Sequence, residues 1–378
     1  MSCWLKILVF ITKTNKLSMG IMKINNSNVK TLVFLFLSTL TFIFSSCESG
    51  IETIKTIDTT SQSFTWEKLT FGDYSSQLFD VAIINENNIW AVGEIHTEET
   101  GKFDSNGVWV QPYNAVHLDG NSWELKRIAG SGYPRNTVYA FGENDIWFGG
   151  LIHWDGKNYS SHTENFPMET NGDGWKINSF WGTSSKDFYV VGNDGNIAHY
   201  NGNEWIKLKS GTDLNINDIY GSYNTLNDTF EIIAVASNEL QGAKSSILKI
   251  VGTQVMSLSY SPIEHNLSSV WFLPNEMYYV SGDGIYQKNH LSNQSWENTP
   301  LKITEYYINK IRGNSVNDVV GVGGFGEIIH FNGKSWKSFF DETNINGNYY
   351  SVDIEGDLIV SVGQNQQFGA LTIGRRVK

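Results

Sequence analysis

Short apolar segments alternate with turn residues through most of the chain. Residues 177–205 read INSFWGTSSKDFYVVGNDGNIAHYNGNEW and divide into four such segments. Residues 308–336 read INKIRGNSVNDVVGVGGFGEIIHFNGKSW, which has the same length and turn residues at matching positions. Segments rich in β-branched and aromatic residues and bounded by Gly, Asn, Asp and Ser indicate β-strands. Each repeat therefore predicts four strands, which we call A to D in chain order.

A small residue closes the predicted strand B of every repeat and marks its phase. The spacings between successive markers are 57, 42, 44, 46, 41 and 40 residues, and the longest spacing reflects an insertion at about 95–113. Four short strands in every 40 to 50 residues or so are typical of a β-propeller blade. Seven markers predict seven blades: Gly93, Gly150, Gly192, Ala236, Gly282, Gly323 and Gly363.

The two ends of the chain predict how the ring closes. After Gly363, GALTIGRRVK supplies a strand C but no clear strand D. The segment TWEKL at 65–69 resembles the strand D segments SWELK at 122–126 and EWIKL at 204–208, yet it precedes the first strand A. We therefore predict an all-β, seven-bladed β-propeller of four-stranded blades over residues 63–378. Its N-terminal strand completes the last blade and removes the open sheet edges.

An export signal precedes the repeats. The apolar run 32–44 follows a mildly basic stretch and is too short for a comfortable membrane span. It ends in FSSC, which resembles a bacterial lipobox with Cys47 as the lipidated residue; a plain signal peptide with an incidental cysteine is the alternative. The only other cysteine is Cys3, so we expect neither a disulfide nor thiol chemistry in the mature protein.

These features predict the domain organisation and the cellular localisation. Residues 1–21 read as a misassigned upstream extension, 22–47 as a lipoprotein signal peptide, and 48–62 as a flexible tether. We expect a monomer, lipid-anchored in the bacterial cell envelope at the outer membrane, on its periplasmic or surface face.

The lipobox, the GxSxxDhxxVGxxGxIxHhNGxxW repeat and the terminal closure together resemble uncharacterised secreted bacterial β-propeller lipoproteins. The resemblance covers residues 63–378. Members of that group sometimes carry a glucosyltransferase label. Nothing in this chain supports such an activity, because it has no βαβ alternation and no phosphate loop. The resemblance implies a fold and an export route and leaves the activity open.

Four histidines recur in matched settings, in HLDGNSW, HWDGKNY, HYNGNEW and HFNGKSW. A two-residue Asn201-Gly202 turn places His199 on the same blade face as Ile206, with Trp205 on the other face. Because equivalent positions in different blades are spread around a ring, they cannot converge on one metal ion. We expect structural histidines, no cofactor and no metal. Asp145, Asp187 and Asp318, just before strand B, are expected to bond backbone amides in the A–B turn.

One aligned position of strand A holds Tyr139, Trp181, Tyr220 and Trp271 in four repeats. Aromatic stacking between blades explains them better than ligand binding. Arg312 and Asp353 occupy the same position in the last two blades. They predict either an ion pair that bridges blades 6 and 7 or a polar pair that lines the channel and binds a ligand.

Strand order predicts where a binding face lies. The B–C loops and the D–A crossings share one face of the disk, here called the long-loop face. This face receives all the long segments, at about 95–113, 160–175, 237–244 and 364–369. Their aromatics, mixed with amides, suit sugar or protein recognition: Phe103, Trp109, Tyr113, Phe166, Trp175 and Phe368.

Two further features fall on the long-loop face. Aligned polar residues at the start of strand A are expected either to form a rim at the channel mouth that contributes to ligand binding or to cap strand ends: Asn136, Asn178, Asn217, Ser268 and Asn309. The stretch ETNGDG at 169–174 has calcium-like oxygen ligands but lacks the spacing of a known calcium loop.

The net charge of −12, with no compensating basic stripe, argues against a nucleic-acid partner. The leading hypothesis is a membrane-anchored, non-catalytic module that binds a glycan or an envelope protein through the long-loop face. One alternative is a glycan-active hydrolase or lyase, although no spacing among Glu94, Asp104 and Asp173 singles out a catalytic carboxylate pair. Another is a scaffold subunit of an envelope complex.

Overall fold

The computed structural model describes residues 58–167, 176–238, 244–259, 263–293, 295–298 and 303–377. Within these ranges the only helical segments are the 3-10 turn Ile128–Gly130 and the short helix α1, Phe340–Thr343. All other regular structure is β-strand, as the repeat pattern predicts.

Thirty strands follow one another in chain order. The first half comprises β1 Phe64–Phe71, β2 Gln77–Asn85, β3 Asn88–Ile95, β4 Lys102–Phe103, β5 Trp109–Val110, β6 Tyr113–Asp119, β7 Ser122–Lys126, β8 Val138–Gly142, β9 Asp145–Phe148, β10 Ile152–Trp154, β11 Tyr159–Ser161, β12 Ile177–Ser184, β13 Asp187–Gly192, β14 Asn196–Tyr200 and β15 Trp205–Lys209. The second half comprises β16 Ile216–Asn224, β17 Thr229–Ser237, β18 Ser245–Val251, β19 Gln254–Leu258, β20 Leu267–Leu273, β21 Met277–Gly282, β22 Gly284–Lys288, β23 Glu297–Asn298, β24 Ile308–Ser315, β25 Asp318–Gly323, β26 Ile328–Phe331, β27 Trp336–Ser338, β28 Gly347–Glu355, β29 Leu358–Asn365 and β30 Phe368–Arg376.

Seven antiparallel four-stranded sheets form the blades of a β-propeller, which confirms the predicted fold. Blades 1 to 6 are β2-β3-β6-β7, β8-β9-β10-β11, β12-β13-β14-β15, β16-β17-β18-β19, β20-β21-β22-β23 and β24-β25-β26-β27. Blade 7 has the order β28-β29-β30-β1. The remaining two strands, β4 and β5, form a separate hairpin that projects from the loop between β3 and β6.

The N-terminal strand β1 closes the ring. It pairs antiparallel with β30, and Leu69 stands opposite Leu371. Trp66 lies over Gly374, where an added Cβ would come within 2.3 Å of the indole, so glycine is required for this close approach. The Trp66 ring also packs at 5.1 Å from Phe339 of the preceding blade crossing. The first and last strands thus share one sheet, as predicted.

The core lies between the blades. Each apolar cluster draws on two neighbouring sheets: Val191 and Ile197 of blade 3, for example, pack with Ile219 and Ala234 of blade 4. Both faces of a blade are therefore buried, and its inner strands are almost continuously apolar. At about 25 cal/mol per Å² of apolar surface, this burial is the main stabilising contribution.

Lack of space for a side chain explains why glycine recurs at the marker position that closes strand B. Strand A begins with a β-bulge in blades 1, 3, 4, 5, 6 and 7, and the marker lies opposite the residue before the bulge. A Cβ at Gly323 would stand 1.8 Å from the Tyr307 carbonyl oxygen, and one at Gly282 would stand 2.0 Å from that of Asn266. The bulge therefore selects a residue with little or no side chain at this point.

The C–D hairpin of blade 3 differs from the predicted two-residue turn at Asn201-Gly202. Tyr200 pairs with Trp205, so the connection spans four residues, 201–204. The Asn201 carboxamide oxygen accepts the amides of Asn203 and Glu204, both at 3.0 Å, which makes Asn201 the cap of the turn rather than a central residue. Because the register moves by two positions, His199 still shares a face with Ile206, as predicted.

The repeated histidines hold the blades together internally. His199 Nε2 lies 2.7 Å from Asp187 Oδ1, and the same contact joins His153 to Asp145 at 2.8 Å and His330 to Asp318 at 2.6 Å. The predicted role of these aspartates as caps of backbone amides is therefore wrong: they begin strand B and bind the histidine of the adjacent strand C. In blade 1, Asn88 takes the same position opposite His117.

Candidate functional site

The innermost strand of each blade lines the central channel. The residue two positions after the buried start of this strand points inward, and this position holds Asp80, Thr137, Ser179, Asp218, Ser269, Lys310 and Ser351 in blades 1 to 7. Two positions further along the strand, blades 2 to 5 hold the aromatic series Tyr139, Trp181, Tyr220 and Trp271, blades 6 and 7 hold Arg312 and Asp353, and blade 1 holds Ala82. Two layers of side chains thus surround the axis.

Asp218 is fully buried at the centre of the first layer. It accepts hydrogen bonds from the hydroxyls of Ser179 at 3.0 Å and Ser269 at 2.6 Å, one on each neighbouring blade. Across the channel, both terminal nitrogens of Arg312 lie 2.9 Å from its oxygens, and Lys310 Nζ lies at 2.8 Å. Burial opposes ionisation, but Arg312 and Lys310 more than offset it and hold the pKa of Asp218 well below its usual range.

Asp80 plays the corresponding part on the opposite side of the axis. Its carboxylate accepts the hydroxyls of Thr137 at 2.8 Å and Ser351 at 2.6 Å, again from the two neighbouring blades, together with the amide of Val138. Asp80 therefore connects blades 7, 1 and 2, and Asp218 connects blades 3, 4, 5 and 6. The sequence analysis missed both; the available signal was a carboxylate inside an apolar strand, two residues before the aromatic position.

Arg312 and Asp353 do line one cavity, but they are not an ion pair. The cavity encloses about 220 Å³ and is also bordered by Tyr139, Trp181 and Tyr220. Arg312 pairs with Asp218, whereas the Asp353 oxygens accept the amides of Ile83 at 2.8 Å and Ile354 at 2.9 Å. The predicted bridge between blades 6 and 7 is thus replaced by a pairing between blades 6 and 4. Burial raises the pKa of Asp353 to about 6, against the opposing effect of those amides and of Arg312.

The aligned polar residues at the start of strand A join neighbouring blades. Asn178 donates to the Ile216 carbonyl at 3.0 Å, and Asn309 donates to the Tyr349 carbonyl at 2.7 Å. Asn217 and Ser268 make the equivalent bonds to Leu267 and Ile308, both at 2.7 Å. Each residue sits in the bulge and reaches the next inner strand. Asn136 is half-buried and makes no such bond to a described residue.

The long segments are distributed differently from the prediction. The insertion in blade 1 is present, and its hairpin exposes Trp109 (48%) and Phe103 (66%), whose rings are 5.2 Å apart. The segment 364–369 is not a long loop, because β29 and β30 are joined directly by a tight turn at 366–367. Most of 237–244 falls outside the described residues, as do Cys47, Trp175 and the stretch 169–174.

Two other aromatics predicted for this face are not free. Phe166 is buried, with its ring 5.0 Å from Trp205. Tyr113 is half-buried in β6, and the Arg127 guanidinium lies over its ring at 3.9 Å. Neither side chain offers an open aromatic surface.

Six aromatics are exposed on the long-loop face, of which Phe103, Trp109 and Phe368 were predicted there, and we call this set the aromatic arc. Its members come from B–C loops and D–A crossings of blades 6, 7 and 1 and the crossing to blade 2: Tyr74, Phe103, Trp109, Tyr133, Phe325 and Phe368. Among the described residues, the large exposed aromatics of the opposite face are Tyr223 and Phe230, both in the A–B hairpin of blade 4. Exposed aromatics are therefore concentrated in one sector of the disk.

Hydrogen bonds between loops brace the segments that carry the arc. The Ile345 amide donates to the Phe325 carbonyl at 3.1 Å, and the Gln366 amide donates to Asn346 at 2.6 Å. The chain of contacts continues from Ser76 to Gln367 at 2.8 Å and from Asp73 to His96 at 2.6 Å. At its far end, Asn114 donates to the Tyr133 carbonyl at 2.9 Å. The loops of successive blades thus brace one another and hold the aromatics in place.

Two searches among the described residues gave no positive result. No group of three or more His, Cys, Asp or Glu side chains there is arranged to hold a metal ion. In the same part of the chain, no helix has the length and apolar character needed to cross a membrane.

The fold and these surfaces define a seven-bladed β-propeller with an internally bonded channel and an exposed aromatic sector. No protein-family profile and no curated protein matches the chain. Solved structures with the same fold include YCF48 bound to a D1 peptide, at 18% identity and a TM-score of 0.59 over 86% of this chain and 100% of that one.

Two other propellers match to a similar extent. The WD40 domain of Doa1 has 12% identity and a TM-score of 0.59, covering 84% of this chain and 98% of that one. A catalytically inactive virginiamycin B lyase from Staphylococcus aureus, solved with quinupristin, has 8% identity and a TM-score of 0.59, covering 83% and 100%. At such identities these likenesses show the fold alone.

Proposed function

We propose that this protein is a non-catalytic recognition module that binds a protein partner through the aromatic arc. The observation that carries the proposal is the concentration of six exposed aromatic side chains on braced loops in one sector of the disk. Monomeric proteins rarely expose large contiguous apolar patches without a binding role. Aromatic side chains are also the residues that contribute most to binding energy in protein interfaces.

The fold neighbours support a protein partner without identifying one. YCF48 was solved with a D1 peptide, so a propeller of this general shape is able to present a surface to a peptide. The lyase solved with quinupristin has the same fold, so the fold alone supports an enzyme as well as it supports a recognition module. In this chain, however, the channel carboxylates are occupied by internal partners, which favours recognition over catalysis.

The test is site-specific photo-crosslinking in the cell envelope. A photoreactive amino acid at Tyr133 or Phe325 is expected to capture the same partner from both positions. The double variant Trp109→Ala/Phe368→Ala should abolish that capture, because both rings are exposed and lie at different parts of the arc. Phe230, equally exposed on the opposite face, supplies the matched control position. Capture that is equal from Phe230, or unchanged in the double variant, would refute the proposal.

A glycan ligand is the second candidate, and one observation favours it. The exposed Phe368 follows the exposed amides of Gln366 and Gln367 at the turn of blade 7, a combination that suits stacking on a sugar with hydrogen bonds to its hydroxyls. A glycan array of residues 48–378, repeated with Trp109→Ala and Trp175→Ala, tests it. A hit that either variant loses would support a sugar site, and an empty array would remove this candidate.

The membrane anchor is part of the proposal. The FSSC motif, which ends at Cys47, supports lipidation of that residue and attachment of the protein to a membrane of the bacterial envelope. Mass spectrometry of the mature N-terminus is expected to show a lipid-modified Cys47, and Cys47→Ser should release the protein from the membrane fraction. An unmodified residue at that position would indicate a plain signal peptide instead.

A further inference from the structure

We infer, on the basis of the proposed function, that the partner segment at the aromatic arc is cationic, with Lys or Arg beside apolar side chains. The loops that carry the arc, together with the crossings into blades 6 and 7 that contact the Phe325 loop, carry a set of exposed carboxylates: Asp73, Glu98, Glu99, Glu305, Asp341 and Glu342. In the described part of the same loops, Lys102 is the one exposed basic residue. Negative charge and aromatic rings therefore coincide on one sector.

These carboxylates differ from those of the channel because they are not held in ion pairs within the described part of the protein. None of the six forms an ion pair with another described residue, whereas Asp218 contacts both Lys310 and Arg312. Because none of these carboxylates is held in an ion pair, an approaching cation gains their Coulomb attraction without breaking an internal contact. The charge is thus available to a partner, and it disfavours an acidic segment or an anionic membrane surface.

The rings add a second reason for a cation. Phe103 and Trp109 are exposed on the hairpin that follows Glu98 and Glu99 in the same loop. A Lys or Arg over an exposed aromatic ring is attracted by the ring's electrons, and a carboxylate in the same loop adds Coulomb attraction. The apolar side chains of the partner would cover the rest of the arc. The surface fits a segment in which cationic and apolar residues are interspersed.

The experiment uses two synthetic peptides with identical apolar positions, one with Lys and one with Glu at every polar position. Binding to the protein from residue 48 onward is measured by fluorescence polarisation at low and at physiological salt. We expect the Lys peptide to bind at least about tenfold more tightly than the Glu peptide and to weaken several-fold as salt rises. Glu98→Gln/Glu99→Gln should weaken it further, while Glu143→Gln/Glu204→Gln on the opposite face should leave it unchanged.

The outcomes separate this inference from the proposed function. Equal or tighter binding of the Glu peptide, or no effect of Glu98→Gln/Glu99→Gln, overturns the cationic partner. If such charge-independent binding is still lost in Phe103→Ala/Trp109→Ala, the arc remains a recognition surface. Failure of both peptides to bind also overturns the inference, and the envelope crosslinking then decides the proposed function by itself. Binding of the Lys peptide that is insensitive to Phe103→Ala/Trp109→Ala refutes both.

Discussion

The central channel and the aromatic arc contain the same kinds of side chain, carboxylates and aromatic rings, but they are used in opposite ways. In the channel, Asp218 has two hydroxyls and two cations within 3.0 Å. On the arc, Glu98 and Glu99 are exposed and lie in the same loop as the exposed rings of Phe103 and Trp109. The comparison shows that residue type does not reveal a binding site; the presence or absence of internal partners does.

The largest expected effect comes from removing the channel carboxylate. Asp218→Ala should lower the free energy of unfolding by about 3–5 kcal/mol, because it leaves Lys310 and Arg312 buried without a counter-charge. Chemical denaturation checks this. The triple variant Asp218→Leu/Lys310→Met/Arg312→Met removes all three charges and should recover most of the stability. A single variant as stable as the native protein would mean that the cluster is well solvated.

The repeated His–Asp contact offers the same comparison at matched positions. Asp318 is 8% exposed and also binds Arg376, whereas the equivalent Asp187 is 52% exposed. Asp318→Ala should cost about 2–3 kcal/mol because it leaves the fully buried His330 without its partner, and Asp187→Ala should cost less than about 1 kcal/mol. Denaturation of the two variants side by side tests this; equal losses would show that burial does not set the strength of the contact.

The pH response of Asp353 is the next largest effect. Its pKa is raised from 3.8 to about 6 in the folded protein, so between these pH values the native state binds a proton more tightly than the unfolded chain. Its contribution to stability is present at low pH and is lost as pH rises through about 6. Relative to the native protein, Asp353→Asn should therefore gain about 1–3 kcal/mol between pH 4 and pH 7. Denaturation of both proteins across this range is the measurement, and a parallel pH dependence of the two would contradict the prediction.

The smallest expected effect is on the arc itself. Trp109→Ala and Phe368→Ala should each change the free energy of unfolding by no more than about 0.5 kcal/mol, because both rings are largely exposed. A loss comparable with that of Asp218→Ala would show that the rings belong to the fold, and the proposed recognition role would lose its basis. Thermal unfolding of purified protein is sufficient to decide.

Much of the architecture was predictable because a propeller repeats one local pattern. The bulge at the start of strand A excludes side chains opposite it, so the marker glycines recur at a readable spacing, and TWEKL matches the strand D of other blades. The hairpin register was misjudged by two residues, because Asn201 caps its turn through the side chain as readily as it occupies the turn centre. The face of each side chain was still correct, since a shift of two preserves the alternation of a strand.

The candidate site was less accessible to sequence reasoning. Strand A identifies Arg312 and Asp353 as unusual, but it does not show that Arg312 reaches across the axis to Asp218, 94 residues earlier in the chain. Likewise, Phe166 and Phe368 both look like loop aromatics, yet one packs on Trp205 and the other is exposed. Such distinctions depend on contacts between segments that are distant in sequence.

The amino-acid sequence by itself determined the strands, the number of blades and the closure, because these follow from short-range alternation, turn residues and steric limits repeated in every blade. Only the tertiary structure decided which polar and aromatic groups were already satisfied. When the ring closes, residues from seven separate blades meet at the axis and bond to one another, whereas the loops of blades 6, 7 and 1 are left with rings and carboxylates facing water. That division between occupied and unoccupied groups is a property of the closed ring, and it is the reason the arc is the surface we propose for a partner.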